Sequence, residues 1–376
     1  MKFEPLNDIT VITIEQAVSA PFASCRLADA GARVIKIERE DTGDFARQYD
    51  EVVKGESTYF VWLNRGKESV RMNIKSDEGR ELFFNMIEKA DVFIQNLAPG
   101  ALKKLGLHSE ALREKHPRLI TCDISGYGEE GDYSKMKAYD NLVQAESGLI
   151  DVTGDGEMRA KVGISIADIS TGMHAYAAIL EAIIQRGTTN EGVAIKISMF
   201  DCMADWMMVP YLHQEYGEQA PPRSGVYHAA IAPYGPFKTN GGREIMIGIQ
   251  NEREWVRFCD NVLNGAINPD DERFSKNSLR VKNMRLLNEL VQSEFERMEY
   301  ADAHARLKKA KIAYANLNTV KQFSEHPQLR LTEVDSEAGQ IRMADRPAIF
   351  DGYESSFNSI PALGEHDEQI KREFRA

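Results

Sequence analysis

Cysteine is scarce and scattered. Cys25, Cys122, Cys202 and Cys259 form no close pair, which excludes a disulfide framework or a cysteine-based zinc site and suits a reducing compartment. Long apolar runs are missing as well: none approaches the ~20 residues that span a bilayer. The first residues, Met1-Lys-Phe-Glu-Pro-Leu-Asn-Asp, lack the apolar core of a signal peptide. Positive charge is in deficit. With 46 Lys and Arg against 58 Asp and Glu the formal net charge is −12, which argues against a nucleic-acid partner yet leaves room for a local basic pocket. The eight histidines lack H-E-x-x-H or related spacing, so no metal site is expected. No G-x-S-x-G elbow and no P-loop occur. What remains is an ordinary globular composition, 43% hydrophobic and 28% charged over 376 residues, enough chain for two domains. These features predict a cytoplasmic protein with no nucleic-acid or membrane partner.

What is present is a rhythm. Val11–Ile14, Val34–Ile37, Ser69–Met72, Val92–Gln95 and Leu119–Ile124 read as strands. Ser24–Ala30, Glu78–Ala90 and Ser109–Lys115 read as helices between them. Such βαβα alternation predicts an α/β domain on a Rossmann-like parallel sheet, with ligands at the carboxyl ends of its strands. A small-residue helix follows over Ala175–Gln185, then a strand over Val193–Met199 and an aromatic, Met-rich helix from Phe200 to about Tyr216. Pro221-Pro222 marks a linker. Asn240-Gly241-Gly242 is a hairpin signal between Pro236–Thr239 and Glu244–Ile249. Three helical patterns follow, within residues 252–311. The expected division is a large domain over 1–215 and 322–376, a smaller α+β domain over 225–315, and linkers at 216–224 and 316–321.

One residue stands at a junction of these patterns. Asp168 lies in Ile166-Ala-Asp-Ile-Ser-Thr-Gly172, where an apolar segment meets the small-residue helix. A carboxylate at a helix start is held ionised by the dipole and unpaired amides, and it can serve as a covalent nucleophile. It also reads as an N-cap, which the local sequence favours. His174, six residues on, lies off the Asp168 face and is expected to pack or to support. Gly126-Tyr-Gly128-Glu-Glu-Gly131 formally matches a dinucleotide fingerprint, but Glu129 and Glu130 would repel phosphate, so a turn-rich loop is expected. Asn96, before Leu97-Ala98-Pro99-Gly100, is a polar turn residue or a ligand contact at a strand end. Lys36, Arg39, Lys75, Lys103, Lys104 and Lys137 are basic points for the same edge. Arg223 and His228, beside the linker, form a candidate carboxylate contact or a plain surface loop.

Taken in order, these segments resemble the class III (CaiB/BaiF-type) CoA-transferases. The likeness is carried by Ala20-Pro21, Val34-Ile-Lys-Ile-Glu38-Arg39, Gly43-Asp44, Asn64-Arg-Gly-Lys67, Gln95-Asn96, Ser125-Gly126-Tyr-Gly128, Tyr139-Asp140, Asp168 to Gly172, His326-Pro327-Gln328 and Pro361-Ala-Leu-Gly364. It runs over nearly the whole chain. The resemblance implies a nucleophile at Asp168 and an intertwined, interlocked-ring homodimer. It implies contacts to CoA at Ala17, Arg39, Met72, Lys75, Asn96, Leu97, Ala101, Lys104, Lys137 and Tyr139. CoA and acyl-CoA are then substrates, with no permanently bound cofactor and no metal. Lys104 stands where some members have arginine, which makes a phosphate contact less directional. Gly225-Val-Tyr-His228-Ala-Ala occupies the region of a glycine-rich loop known in some members.

The implied chemistry is acyl transfer through an aspartyl-CoA thioester, with the helix start at Ile169–Thr171 as the expected source of oxyanion donors. The blocks Glu15 to Pro21, Gly43 to Arg47 and Phe60 to Arg65 look most like members acting on short dicarboxylates: mesaconate, itaconate, citramalate or succinate. Arg47, Arg65, Arg223 or His228 is then expected to hold the distal carboxylate. The rival is an acyl-CoA racemase of the same fold. It needs a histidine where this chain has Tyr139, and a phenol of pKa ~10 is a poor base at neutral pH.

Overall fold

The protein is described here by a computed structural model covering residues 2–375. Six strands form its main sheet: β1 (Thr10–Ile14), β2 (Arg33–Glu38), β3 (Lys67–Arg71), β4 (Val92–Gln95), β5 (Ile120–Ser125) and β6 (Ala194–Ser198). They lie in the order β3-β2-β1-β4-β5-β6, and every neighbouring pair is parallel. Both faces are covered, so the central strands β1 and β4 carry apolar residues on both sides, Val11 and Ile12 in one, Val92 and Phe93 in the other. On one face Val11, Val34, Ile94 and Ile120 pack against Ala20, Ala23 and Leu27 of the helix Ser19–Asp29. Ala175 and Ile179 of a second helix join them. On the other face Ile12, Ile35 and Phe93 pack against Phe83, Met86 and Ile87 of the helix Asp77–Glu88. Ser76 starts that helix by accepting the Gly79 N–H, with Asp77 and Glu78 in its first turn, a sequence-readable start.

Strand order reverses between β1 and β4. Chain running outward from β1 fills one side of the sheet and chain from β4 fills the other, which opens a crevice at the carboxyl ends of these two strands.

Two helices differ from expectation. The long helix spans Ile166–Thr189, 24 residues, and so begins nine residues before the expected Ala175. Its start is rich in residues of modest helix propensity (Ile166, Ile169, Thr171, Gly172), and tertiary contacts described below hold it. The aromatic helix is two helices, Met199–Trp206 and Met208–Gly217. Pro210 explains the break: its ring excludes a continuous helix back to Trp206, yet is tolerated in the first turn of a new one.

Contacts group the chain into two units, one of Met1–Ser147, Val162–Met207 and Arg330–Ala376, the other of Gly148–Lys161 and Met208–Leu329. The division differs from the expected one at 148–161, 208–215 and 322–329. The second unit holds an antiparallel sheet of Tyr234–Lys238, Glu244–Gly248 and Ala313–Asn316. Gly241 and Gly242 turn its hairpin at φ of 84° and 81°. Trp255, Phe258, Leu287, Phe295 and Leu307 form its core.

Charge is buried beneath the carboxyl ends of β1 to β3. Lys36 is fully buried and reaches Asp44 Oδ2 at 2.6 Å. Lys67 reaches Glu15 Oε1 at 2.6 Å, and Asn64 Oδ1 accepts from both ammonium groups at 3.1 Å. Arg47 forks onto Glu38 at 2.9 and 2.8 Å. Burial pushes the Glu38 carboxyl up, but Arg47, Lys36 and the Ser69 hydroxyl bring it down to about 2. Lys36, expected as a basic point at the rim, is therefore spent inside the protein. Removing one partner of such a set strands its neighbours' charge, at a cost of about 3–5 kcal/mol. Lys36→Ala should lower stability by that order in urea unfolding, whereas Lys75→Ala, at an exposed position, should change it by less than ~0.5 kcal/mol.

Candidate active site

Asp168 is the third residue of the Ile166–Thr189 helix. It is not the cap. Ser165 precedes the helix without a capping side-chain bond, and the cap comes from elsewhere in the chain. Asp140, first residue of the helix Asp140–Glu146, reaches the long helix with its carboxylate. Its Oδ1 accepts the Ala167 N–H at 2.8 Å and the Asp168 N–H at 3.4 Å. Its Oδ2 accepts from Gln144 Nε2 at 2.7 Å, and Gln144 Oε1 in turn accepts the Val162 N–H at 2.9 Å. A borrowed cap thus fixes both the helix start and the segment leading into it.

Borrowing has two consequences. The Ile166 N–H goes to Ile164 O and the Ile169 N–H to Ser165 O, while Ser170 and Thr171 lie within the helix, where amides bond the preceding turn. The expected oxyanion donors at Ile169–Thr171 are therefore committed. Charge on Asp168 is also less favoured than the helix dipole alone suggests. Burial pushes its carboxyl up and the neighbouring Asp140 carboxylate adds to this. The Ser19 hydroxyl, as a hydrogen-bond partner, pulls the other way, and the result is about 7. The expectation of a fully ionised carboxylate at neutral pH is thus corrected: two unfavourable terms outweigh a helix-end charge of roughly half a unit.

Beside Asp168 lies the crevice between β1 and β4. Asn96 bridges the two strand ends: its Oδ1 accepts the Gln16 N–H at 2.9 Å, and its Nδ2 donates to Gln16 O at 2.9 Å and to Ser19 Oγ at 3.3 Å. Ala17 follows with a left-handed φ of 63°. That conformation disfavours a residue bearing Cβ and points to a constrained site. Asp44 Oδ1 holds it by accepting the Ala17 N–H at 3.0 Å. Tyr49 faces the same carboxylates. Burial chiefly, then Asp44 and Asp168, pushes its phenol up to about 12.

The expected CoA contacts all lie in connections leaving carboxyl ends of strands: Ala17 after β1, Arg39 after β2, Met72 and Lys75 after β3, Asn96, Leu97, Ala101 and Lys104 after β4, Lys137 and Tyr139 after β5. The fold brings them to one edge of the sheet. They differ in what they have to offer. Lys75, Lys104 and Lys137 are exposed, suited to phosphate. Arg39 is exposed, and its Nε donates to Gly43 O at 3.1 Å. The Met72 side chain is buried in the core, and the Asn96 amide is spent on the strand-end bridge, so both shape the site from behind. The Leu97 N–H is fixed by Gln95 Oε1 at 2.8 Å. Tyr139 is 63% exposed.

The expected carboxylate readers are each engaged within their own unit. Arg65 is buried, forks onto Asp29 at 2.9 and 2.6 Å and lies over the Phe357 ring. Arg47 is held by Glu38 and covers Phe60. In the other unit Arg223 binds Gly156 O and Asp151, and His228 is exposed and stacked on Tyr234. Each guanidinium already has its acceptors. Gly126 to Gly131 is a turn-rich loop, as expected. Among the described residues no group of three or more His, Cys, Asp and Glu is placed to hold a metal ion.

Sequence reading missed Asp140, Ser19, Asp44 and Tyr49 as site residues, because each acts across a gap in the chain. No local signal marked them, since Ser165 reads as an adequate cap and only the structure shows that it makes no capping bond. Asp140→Ala should cost about 1 kcal/mol through the lost cap, and Asp140→Asn only a few tenths. Both should move the Asp168 titration to lower pH, as read by carbon NMR of labelled aspartate.

Comparisons with known proteins show the family. The family model described as CoA-transferase family III matches residues 6–367. Succinyl-CoA:glutarate CoA-transferase of Mus musculus is 31% identical over 379 residues, covering 98% of this chain and 86% of its own. Acetyl-CoA:oxalate CoA-transferase of Acetobacter aceti is 31% identical over 376 residues, covering 99% and 96%. A crystal structure of a CAIB/BAIF family protein from Brucella suis superposes with a TM-score of 0.85 at 30% identity, covering all of both chains. Its sheet, its crevice and its sequence relatives together place the chain in CoA-transferase family III, as a class III CoA-transferase.

Proposed function

We propose that this enzyme moves CoA between short dicarboxylic acids through covalent intermediates on Asp168. The observation that carries the reading is the place of Asp168, third residue of the long helix, its N–H held by Asp140 and its carboxylate beside the β1/β4 crevice. Lys75, Lys104, Lys137 and Arg39 stand along the same edge for the phosphates of CoA. Succinyl, glutarate and oxalate in the relatives' names are all dicarboxylates, which supports that substrate class.

In the first step an Asp168 oxygen attacks the thioester carbonyl. A C–O bond forms, the C–S bond breaks, and CoA leaves as thiolate from a mixed anhydride. The thiolate then attacks the Asp168 side-chain carbonyl. A C–S bond forms, the anhydride C–O bond breaks, and the first acid departs as carboxylate. The acceptor carboxylate attacks the aspartyl-CoA thioester and the two steps run in reverse. No proton is gained or lost, so no general acid or base is needed, and Tyr139 has none of the work a racemase base would have.

Outward-facing apolar side chains support a homodimer. The helix Met208–Gly217 has no buried residue, and Val209, Tyr211, Leu212 and Tyr216 are exposed. On the long helix Met173 and Ile184 are exposed too. A second copy, interlocked with the first, is the proposed cover.

Asp168→Asn should abolish acyl transfer while leaving CoA affinity within about threefold. Hydroxylamine should trap an acyl-CoA-dependent adduct on Asp168 alone. Transfer at the normal rate by this variant would falsify the covalent reading. Because only the carboxylate attacks, kcat/KM should rise with pH through about 7 and level off above it. A panel of succinate, glutarate, oxalate, mesaconate, itaconate and citramalate against acetate and butyrate tests the substrate class, and acceptance of the monocarboxylates alone overturns it. Absence of α-proton exchange in deuterated water separates transfer from racemisation.

A further inference from the structure

We propose that Asp123 is a positioning residue that holds both ends of the loop carrying Lys103 and Lys104, and so fixes where that loop meets CoA. This rests on the reading of the strand-end edge as the place of the CoA phosphates and deepens it.

Asp123 lies on β5 directly beside Gln95 of β4. Residues in register on neighbouring parallel strands point to the same face of the sheet. Here Gln95 Nε2 donates to Asp123 Oδ1 at 2.9 Å. Gln95 Oε1 is thereby turned the other way and accepts the Leu97 N–H at 2.8 Å. The amide has one satisfactory orientation. Exchanging its oxygen and nitrogen would set oxygen against carboxylate and N–H against N–H. An acceptor-only partner on β5 thus decides how the chain leaves β4.

The second carboxylate oxygen serves the far end of the same loop. Ser109, 2% exposed and first in the helix Ser109–Lys115, donates its hydroxyl to Asp123 Oδ2. Gln95 and Ser109 bracket residues 96–108, whose regular structure is the three-residue turn Lys103–Leu105. Within the loop Leu102 and Leu107 are buried in the core, and the Leu107 N–H donates to Leu102 O at 3.0 Å. Lys103 and Lys104 follow Leu102 directly and are exposed. Burial of two leucines holds the loop down but is non-directional. The hydrogen bonds to Asp123 supply the direction. Without them the loop is ordered only when CoA binds, and that ordering subtracts from affinity.

Asp123 is held by these neutral donors rather than by a cation. Lys196, in register with it on β6, pairs instead with Glu129 and Glu110. Geometry and charge therefore predict opposite signs. A carboxylate that mattered only through its charge would repel phosphate, and its removal would tighten CoA. One that matters through the loop weakens CoA when it is removed.

The test uses the full-length enzyme with succinyl-CoA and with succinyl-pantetheine, a thioester without the nucleotide phosphates. Asp123→Ala should raise KM for succinyl-CoA about tenfold, the worth of one or two lost hydrogen bonds. Its kcat with succinyl-CoA and its kcat/KM for succinyl-pantetheine should change less than about twofold. Asp123→Asn keeps an oxygen for Gln95 and offers an N–H to the Ser109 oxygen, so it should stay within about twofold of the parent. Gln95→Met keeps the bulk but frees the Leu97 N–H, and should raise KM for succinyl-CoA about threefold. The inference is overturned if Asp123→Ala leaves that KM unchanged or lowers it, if Asp123→Asn fails as Asp123→Ala does, or if both thioesters lose alike. Should Asp123→Ala not fold, Gln95→Met decides, and an unchanged KM overturns the inference. The double variant Lys103→Ala, Lys104→Ala tests the reading beneath. A normal KM for succinyl-CoA there removes the phosphate edge. A raised KM there beside a normal Asp123→Ala removes the Asp123 inference alone.

Discussion

Charge buried under the strand ends is the constraint on which the active-site geometry hangs. Lys36, with no exposure to water, fixes Asp44, and Asp44 fixes the N–H of Ala17 in its left-handed conformation. That turn sets where the Ser19–Asp29 helix begins, and the helix in turn lies against Gly172 of the helix that carries Asp168. An ion pair out of water adds little net stability, because desolvation offsets most of the attraction. What it provides is direction. With Asn64 shared between two ammonium groups, few alternative arrangements satisfy every charge, so the backbone above has one position.

A second theme is how a carboxylate is kept reactive. In water an aspartate is a weak nucleophile because it is well solvated. Here burial and Asp140 raise its proton affinity to near neutrality while Ser19 moderates the rise. Asp140 is placed there as the cap of the long helix, so one side chain both builds the helix and tunes the residue it carries. Gly172, a turn further along, removes the bulk that would keep the Ser19–Asp29 helix away. Helix capping, close helix packing and the proton affinity of the Asp168 carboxyl are one arrangement.

Cations divide by type along the sheet edge. The arginines near it, Arg47 and Arg65, are forked onto carboxylates and stacked on rings, uses that suit a planar guanidinium. Lysines Lys75, Lys104 and Lys137 stay exposed, suited to a flexible, many-charged ligand. The sequence marks all of them simply as basic.

Periodicity alone determined the parallel sheet, because strands buried on both faces must be written as apolar runs and the helices between them as amphipathic ones. The break near Pro210 follows from proline chemistry, and the order of motifs singles out Asp168 as a candidate. Its partners are not marked. Asp140 lies 28 residues away, and nothing in its local pattern distinguishes it from any acid opening a helix. The availability of amides at Ile169–Thr171, the fates of Arg47 and Arg65, and the burial of Lys36 were likewise undecidable in one dimension. Sequence fixes what a side chain is able to do. Which of its hydrogen bonds and charges are already spent is decided only when the fold brings distant residues within a few ångströms and takes the water away.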